Sequence, residues 1–367
     1  MNYQIKKVEF EISNFTIAST NIINSNLLVH FNKGYSIYKI INYIGKGSVG
    51  QVYLLESQKD SSICVIKISY SDGIEDLIDE ADFLRINFIK HNIIHPSYPL
   101  FCGHFKNLKG FGVIYPYFGF YNLEKIKLIN YKINFINNKQ IIRQCIKQLS
   151  DLKNIIHCDL KPSNVVVNVI NNNIFATVID FGLAREDTST SNVISTNYIT
   201  SPESLLTISN FSECLINNQD LQLDKHDYFG LFSIILNLFI NKSFWGLFSK
   251  YLTDIGFNNE FLYKHNSSII FVYTWFRFSY DDKCHVINKS LLNIINKIEK
   301  MYPNIISKKF QDYDKFFDNY VCTHIDLDTI NKTDLEDLKD FTKQIVQFDY
   351  FARSDLVELS NHKFLNI

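Results

Sequence analysis

The feature that most constrains this chain is the run His157-Cys158-Asp159-Leu160-Lys161-Pro162-Ser163-Asn164, followed by Asp180-Phe181-Gly182. Any fold it adopts must gather three polar groups at one place. Asp159 is placed to accept a proton from an attacking hydroxyl, Asn164 offers an amide oxygen to a magnesium ion, and Asp180 brings a carboxylate to metal held between phosphates. Taken singly these residues have bland readings, since a lone His157 is more often a core hydrogen-bonder and a lone Asp-Phe-Gly can be a turn. Taken in order, they form a set that no structural role needs.

Upstream, residues 38–70 read as a β-meander: Ile40 to Ile44, the glycine-rich Gly45-Lys46-Gly47-Ser48-Val49-Gly50, then Val52 to Leu55, and Ile63 to Ile68. A G-x-G-x-x-G alone is weak evidence. In a dinucleotide-binding fold the glycines open a helix, whereas here Val52-Tyr53-Leu54-Leu55 continues as a strand. Such a loop can fold over a triphosphate with its backbone N–H groups facing the phosphates. Lys67 ends the apolar run Cys64-Val65-Ile66 and is the candidate for the α,β-phosphate contact. Residues Ile74 to Lys90 have the 3.6-residue periodicity of an amphipathic helix, with Leu77, Ile78, Ala81, Leu84 and Phe88 along one face. Glu80, beside that stripe, is the best partner for Lys67. Glu75 is the alternative, less favoured because an acid in the first turn can simply complement the helix dipole. Ile142, Cys145, Ile146, Leu149, Leu152 and Ile156 repeat at helical spacing and lead to Asp159, and Val165 to Val167 and Ala176 to Ile179 read as buried strands around an Asn-rich turn.

In this order and at these intervals, Lys67, Glu80, Asp159, Asn164 and Asp180 resemble the eukaryotic-type protein kinases. The resemblance implies an α+β, two-lobed protein kinase fold, with a small β-rich N-lobe carrying one main helix and a larger, mostly helical C-lobe. It places the kinase domain at residues 36–366, the N-lobe at about 36–116 and the C-lobe at about 117–366, with an insertion within 241–340 and an N-terminal extension of unknown role at 1–35. It implies a nucleotide site made by the glycine-rich loop with Ile44, Gln51 and Val52, by Lys67, and by Tyr115 and Tyr117 of the hinge, Tyr115 closing the back pocket. ATP and Mg²⁺ are the implied cofactors, and proteins with Ser or Thr acceptors the implied substrates. Lys161, two residues after Asp159, and Thr196 are serine/threonine-kinase features, and Ser201-Pro202-Glu203 stands where such kinases close the activation segment, with Arg353 as the expected partner of Glu203. Asp227 matches the residue that anchors the catalytic loop from below, and His157 reads as support for the Asp-Phe-Gly loop.

Two departures stand out. Val65 replaces the usual alanine, which narrows the adenine slot, and Cys158 replaces the arginine that binds a phosphorylated activation segment in many kinases. The expectation is turnover that survives alanine at Thr188, Ser189, Thr190 and Ser191, with Arg185 as a substitute cation if it does not. A pseudokinase scaffold would show damage at Lys67, Asp159 or Asp180, and a small-molecule kinase of the same fold would lack the Ser-Pro-Glu segment.

Composition sets the outer limits. The 367 residues, 46% hydrophobic, suffice for the cores of one two-lobed domain. A formal charge of −1 gives no global field for nucleic acid or an anionic membrane, so neither is an expected partner, and oligomeric state is unreadable. Seven cysteines without a C-x-x-C pair suit a reducing compartment. The N-terminus lacks the apolar core of a signal peptide and the longest apolar run, Tyr228 to Ile240, is too short to span a bilayer, so the expected location is the cytoplasm, a host cell's if the chain is viral. Abundant Asn, Ile, Lys, Tyr and Phe look like the codon bias of an AT-rich genome, such as that of a large DNA virus or a protist. Phe244, Trp245, Phe271, Tyr273, Trp275 and Phe276 are either a docking surface or, on the plainer reading, the core of extra packed helices.

Overall fold

A computed structural model describes residues 6–13, 22–47, 49–70, 72–126, 133–186, 225–257, 267–279, 289–303, 310–326, 330–347 and 353–366. Ser48, Thr188 to Ser191, Thr196 and Ser201-Pro202-Glu203 lie outside them.

Alternating apolar residues build the first lobe as strands β1 (Lys6–Ile12), β2 (Asn26–Phe31), β3 (Gly34–Lys46), β4 (Gln51–Ser57) and β5 (Ile63–Ser69), followed by helix α1 (Ile74–Lys90) and strands β6 (Phe101–Phe105) and β7 (Phe111–Pro116). The strands close into a barrel in the order β1-β2-β3-β4-β5-β7-β6. Neighbours are antiparallel except β1 and β6, which run parallel. Residues 6–13 and 22–35, whose role the sequence left open, thus supply the two strands that complete the barrel. Phe10, Leu27, Val29, Ile40, Leu55, Ile66 and Ile114 fill its interior. The closure is tight: a Cβ on Gly103 would lie 1.7 Å from the Val8 carbonyl oxygen, so only glycine lets β1 dock there. Helix α1 has the bounds its periodicity predicts and buries Leu77, Ala81, Leu84 and Phe88.

The chain then forms β8 (Tyr121–Asn122), α2 (Leu123–Ile126), α3 (Phe135–Asp151), β9 (Ile155–Ile156), β10 (Val165–Ile170), β11 (Asn173–Val178) and β12 (Arg185–Glu186). Asn134 caps α3 by accepting the Asn137 N–H. Strands β11, β10 and β8 make one small sheet, and β12 pairs with β9, so Ile156, expected to continue the helical repeat, lies instead beyond the end of α3 at Asp151 and pairs with Arg185. Behind them lie α4 (Asp227–Ile240), α5 (Phe244–Asp254), α6 (Ser267–Ser279), α7 (Lys289–Met301), α8 (Tyr313–Phe316), α9 (Lys332–Ile345) and α10 (Leu356–Ser360). Helix α4 is apolar nearly all round and is therefore the buried centre of this lobe. Phe244, Phe271, Tyr273, Trp275 and Phe276 are buried, and the Trp275 indole donates to the Val346 carbonyl at 2.6 Å, which is the packed-helix arrangement rather than an exposed surface. Among the described residues no helix is long and apolar enough to cross a membrane.

Candidate active site

Lys67 is one of the residues through which the two lobes meet. Its strand, β5, lies between β4 and β7, and its ammonium donates to Glu80 Oε2 on α1 at 2.7 Å and to Asp180 Oδ1 of the second lobe at 2.9 Å. Lys67 is 8% exposed and Glu80 4%. Burial works against the charge on Lys67, but the two carboxylates beside it outweigh that, and its pKa is raised. Burial likewise pushes the Glu80 carboxyl up, against the pull of Lys67. For Asp180 burial also acts upward, yet Lys67 prevails and holds it below its ordinary value, as a carboxylate. Of the two acids weighed on α1, Glu80 and not Glu75 is the residue that reaches Lys67.

The second group of residues hangs from the β10–β11 hairpin and from α4. Val165 pairs with Val178, and the Ile179 N–H donates to the Asn164 carbonyl at 2.9 Å, so Asn164 and Asp180 leave the same end of one rigid ladder. The Asn164 amide donates to the Asp159 carbonyl at 2.8 Å and to Asp159 Oδ2 at 3.0 Å, and Lys161 Nζ donates to that same Oδ2 at 2.8 Å. Asp159 is thereby fixed from two sides. Beneath it, the buried carboxylate of Asp227 accepts the His157 N–H at 2.7 Å and the Cys158 N–H at 2.9 Å. Cys158 sits at φ 62° and Asp180 at φ 66°, left-handed conformations that non-glycine residues rarely hold and that the surrounding bonds impose. His157 Nε2–H donates to the Ile179 carbonyl at 3.0 Å, and its ring lies 4.7 Å from that of Phe181. Phe181 in turn packs edge-on against Phe88 of α1 and His95, which ties the Asp180 loop to the helix that carries Glu80.

A cavity of about 170 Å³ lies between the lobes, small against the roughly 300–1,000 Å³ usual for ligand pockets. Ile44, Gly47, Val52, Lys67, Tyr115 and Tyr117, all expected there, line it. Gly45, Lys46, Val49, Gly50 and Gln51 do not line it but shape the loop above it. The Gly47 N–H closes that loop on the Gly50 carbonyl at 2.8 Å, and a Cβ on Gly50 would lie 2.5 Å from the Ile68 carbonyl oxygen. Val65, Phe118, Val166, Ile179 and Phe181 also line the cavity. Val166 and Ile179 went unnamed as site residues, although their place beside Asn164 and Asp180 in apolar strands was the available signal. A larger groove of about 720 Å³ between α3, β11 and α10 collects no comparable set of groups.

Among the described residues no cluster of three or more His, Cys, Asp or Glu side chains could hold a metal alone. The Asn164 oxygen and the Asp180 carboxylate are hard donors suited to magnesium, which commonly takes one or two protein ligands and completes its shell with phosphate and water. Arg353, expected to pair with Glu203, is buried; its guanidinium lies over the Phe229 ring at 5.0 Å and donates through Nε to the Gln347 carbonyl at 2.7 Å.

A β-rich lobe with a lysine–glutamate pair, joined over a cleft to a helical lobe that presents Asp159, Asn164 and Asp180, is the architecture of a protein kinase. The chain belongs to the protein kinase domain family, whose model matches residues 38–365. It is similar to the Aurora kinase of Saccharomyces cerevisiae, 27% identical over 168 residues, which cover 43% of this chain and 45% of that protein. The Aurora kinase of Debaryomyces hansenii is 29% identical over 136 residues, 36% of this chain and 33% of that one. A probable serine/threonine-protein kinase of Dictyostelium discoideum, glkA, is 26% identical over 202 residues, 53% and 39% of the two chains. The matched segment thus spans from a third to under half of these relatives. A crystal structure of a kinase domain has a TM-score of 0.56 at 19% identity, covering 90% of this chain and 95% of that one, and shares the fold.

Proposed function

We propose that this chain is a Mg-ATP-dependent serine/threonine protein kinase. The observation that carries the reading is the unbroken polar set Lys67–Glu80–Asp180 and Lys161–Asp159–Asn164, in which no member is replaced or turned away. Asp159 orients the acceptor hydroxyl and takes its proton. Lys67 holds the α,β-phosphates, and Lys161, already beside Asp159, moves to the transferring phosphoryl group and balances its charge. Asn164 and Asp180 would hold magnesium, which supplies charge neutralisation between the phosphates when bound. Lys161 and the serine/threonine kinases among its relatives support a Ser or Thr acceptor on a protein.

The test is a degenerate peptide array incubated with purified protein and Mg-ATP, with Asp159→Asn in parallel. Phosphate should appear on Ser and Thr peptides, and the variant should lose about 10³-fold or more in kcat while still binding nucleotide. Unchanged turnover in Asp159→Asn refutes the base assignment. Silence of the wild type on every peptide points to a scaffold.

A further inference from the structure

The Glu80 carboxylate has two oxygens, and the lysine contact uses one. Oε1 accepts a second hydrogen bond, at 2.9 Å, from the Tyr115 hydroxyl. The arrangement follows from the register: Lys67 pairs with Val113 and Val65 with Tyr115, so Lys67 and Tyr115 stand on the same face of neighbouring strands, two positions apart. Glu80 enters between them from α1 and is held by one donor from each strand. Because Glu80 is buried, an oxygen deprived of its donor finds no water to replace it. A hydrophobic residue at 115 would close the cavity as well as tyrosine does but could not supply that bond.

We infer that Tyr115 is a positioning residue whose hydroxyl holds Glu80, and α1 with it, against Lys67, so that the inward position of the helix is set within the chain by two strands. The effect on turnover rests on the kinase reading above; the effect on the helix does not. Loss of the hydroxyl should therefore loosen α1 first and catalysis through it. Phosphate transfer should fall with little change in the nucleotide's KM, since the rest of the cavity wall is kept.

The experiment is hydrogen–deuterium exchange across the protein, with kcat and KM for ATP, in wild type, Tyr115→Phe, Glu80→Ala and the double variant. Tyr115→Phe should speed exchange in α1 by about tenfold and lower kcat by about the same factor. Exchange in β1 and β2 stays as in wild type, which also shows that the variant folds. Adding Tyr115→Phe to Glu80→Ala should change neither quantity further, because both act through one bond. Tyr115→Leu, which also lacks the donor, must loosen α1 at least as much. Unaltered exchange in α1 of Tyr115→Phe, or effects of the two single changes that multiply in the double variant, overturns the inference. If the wild type transfers no phosphate, the kinase reading fails and the exchange comparison still decides whether the hydroxyl holds α1.

Discussion

Single buried side chains decide how well the proposed catalytic groups are held. Asp227 accepts two backbone N–H groups of the segment that carries Asp159, and replacing it with alanine leaves both donors buried and unmatched. Asp227→Ala should cost about 3 kcal/mol in urea unfolding, and a variant of wild-type stability would show that these bonds contribute nothing net. His95 makes a pH-dependent case. It is buried against Phe88 and Phe181, and its Nδ1 accepts the Ser97 N–H at 3.2 Å. Burial, and to a lesser degree the nearby His157, push its pKa from 6.5 down to about 3. Between those values the unfolded chain binds a proton that the folded chain does not, so this residue's contribution to stability is intact above pH 6.5 and is lost as pH falls toward 3. His95→Asn, whose amide oxygen can replace Nδ1 as acceptor, should reduce the slope of unfolding free energy against pH by about 1 kcal/mol per pH unit between pH 4 and 6. An unchanged slope excludes His95 as the titrating group. Of this scale the sequence revealed Asp227, His157 and Glu80, whose positions fall in a fixed order along the chain. It did not reveal the Tyr115–Glu80 bond or the burial of His95, which depend on how α1 is seated against β7 and against the Asp180 loop.

Elements differ in how plainly they were written. Helix α1 and strands β3 to β5 follow from local periodicity and from the glycine-rich turn between them. The N-terminal pair does not, because β1 finds its partner β6 far along the chain and in parallel, a pairing with no turn of its own to announce it. Val8, Phe10 and Ile12 alternate weakly along the chain and are the residues β1 turns into the core, but that alternation names no partner strand. These strands are structural members of the small lobe, so damage to them should match damage to its central strands. Phe10→Ala should destabilise by about 3–5 kcal/mol, the range for a fully buried aromatic. Gly103→Ala, which sets a methyl against the Val8 backbone, should prevent β1 from docking and expose β2. Circular dichroism with chemical denaturation measures both; a Phe10→Ala change of under about 0.5 kcal/mol, the level of an ordinary surface substitution, would mean that the barrel does not need its first strand.

At the scale of the molecule, the proposed nucleotide site belongs to neither lobe. Lys67 and Glu80 come from the barrel and α1, Asp159, Asn164 and Asp180 from the loops around β10 and β11, and a polar contact that bridges the two groups is Lys67 to Asp180. A ligand gripped by both sides should therefore stabilise the whole chain. A non-hydrolysable ATP analogue with magnesium, at a hundred times its Kd, should add about 2.7 kcal/mol to the unfolding free energy by mass action. On the proposed reading Asp180 has two functions in this balance: its Oδ1 meets Lys67, and its carboxylate would be the charged half of a magnesium donor set, with the Asn164 amide oxygen as the neutral half. Asp180→Ala removes the charged half and leaves the apolar cavity wall of Ile44, Val52 and Val166 to hold the adenine. Thermal melting with the analogue, in magnesium and in EDTA, should show a metal-dependent rise in Tm for the wild type and only the smaller, metal-independent rise for Asp180→Ala. A full magnesium-dependent rise in the variant would remove Asp180 from the metal site, and with it the cross-lobe geometry on which the kinase reading depends.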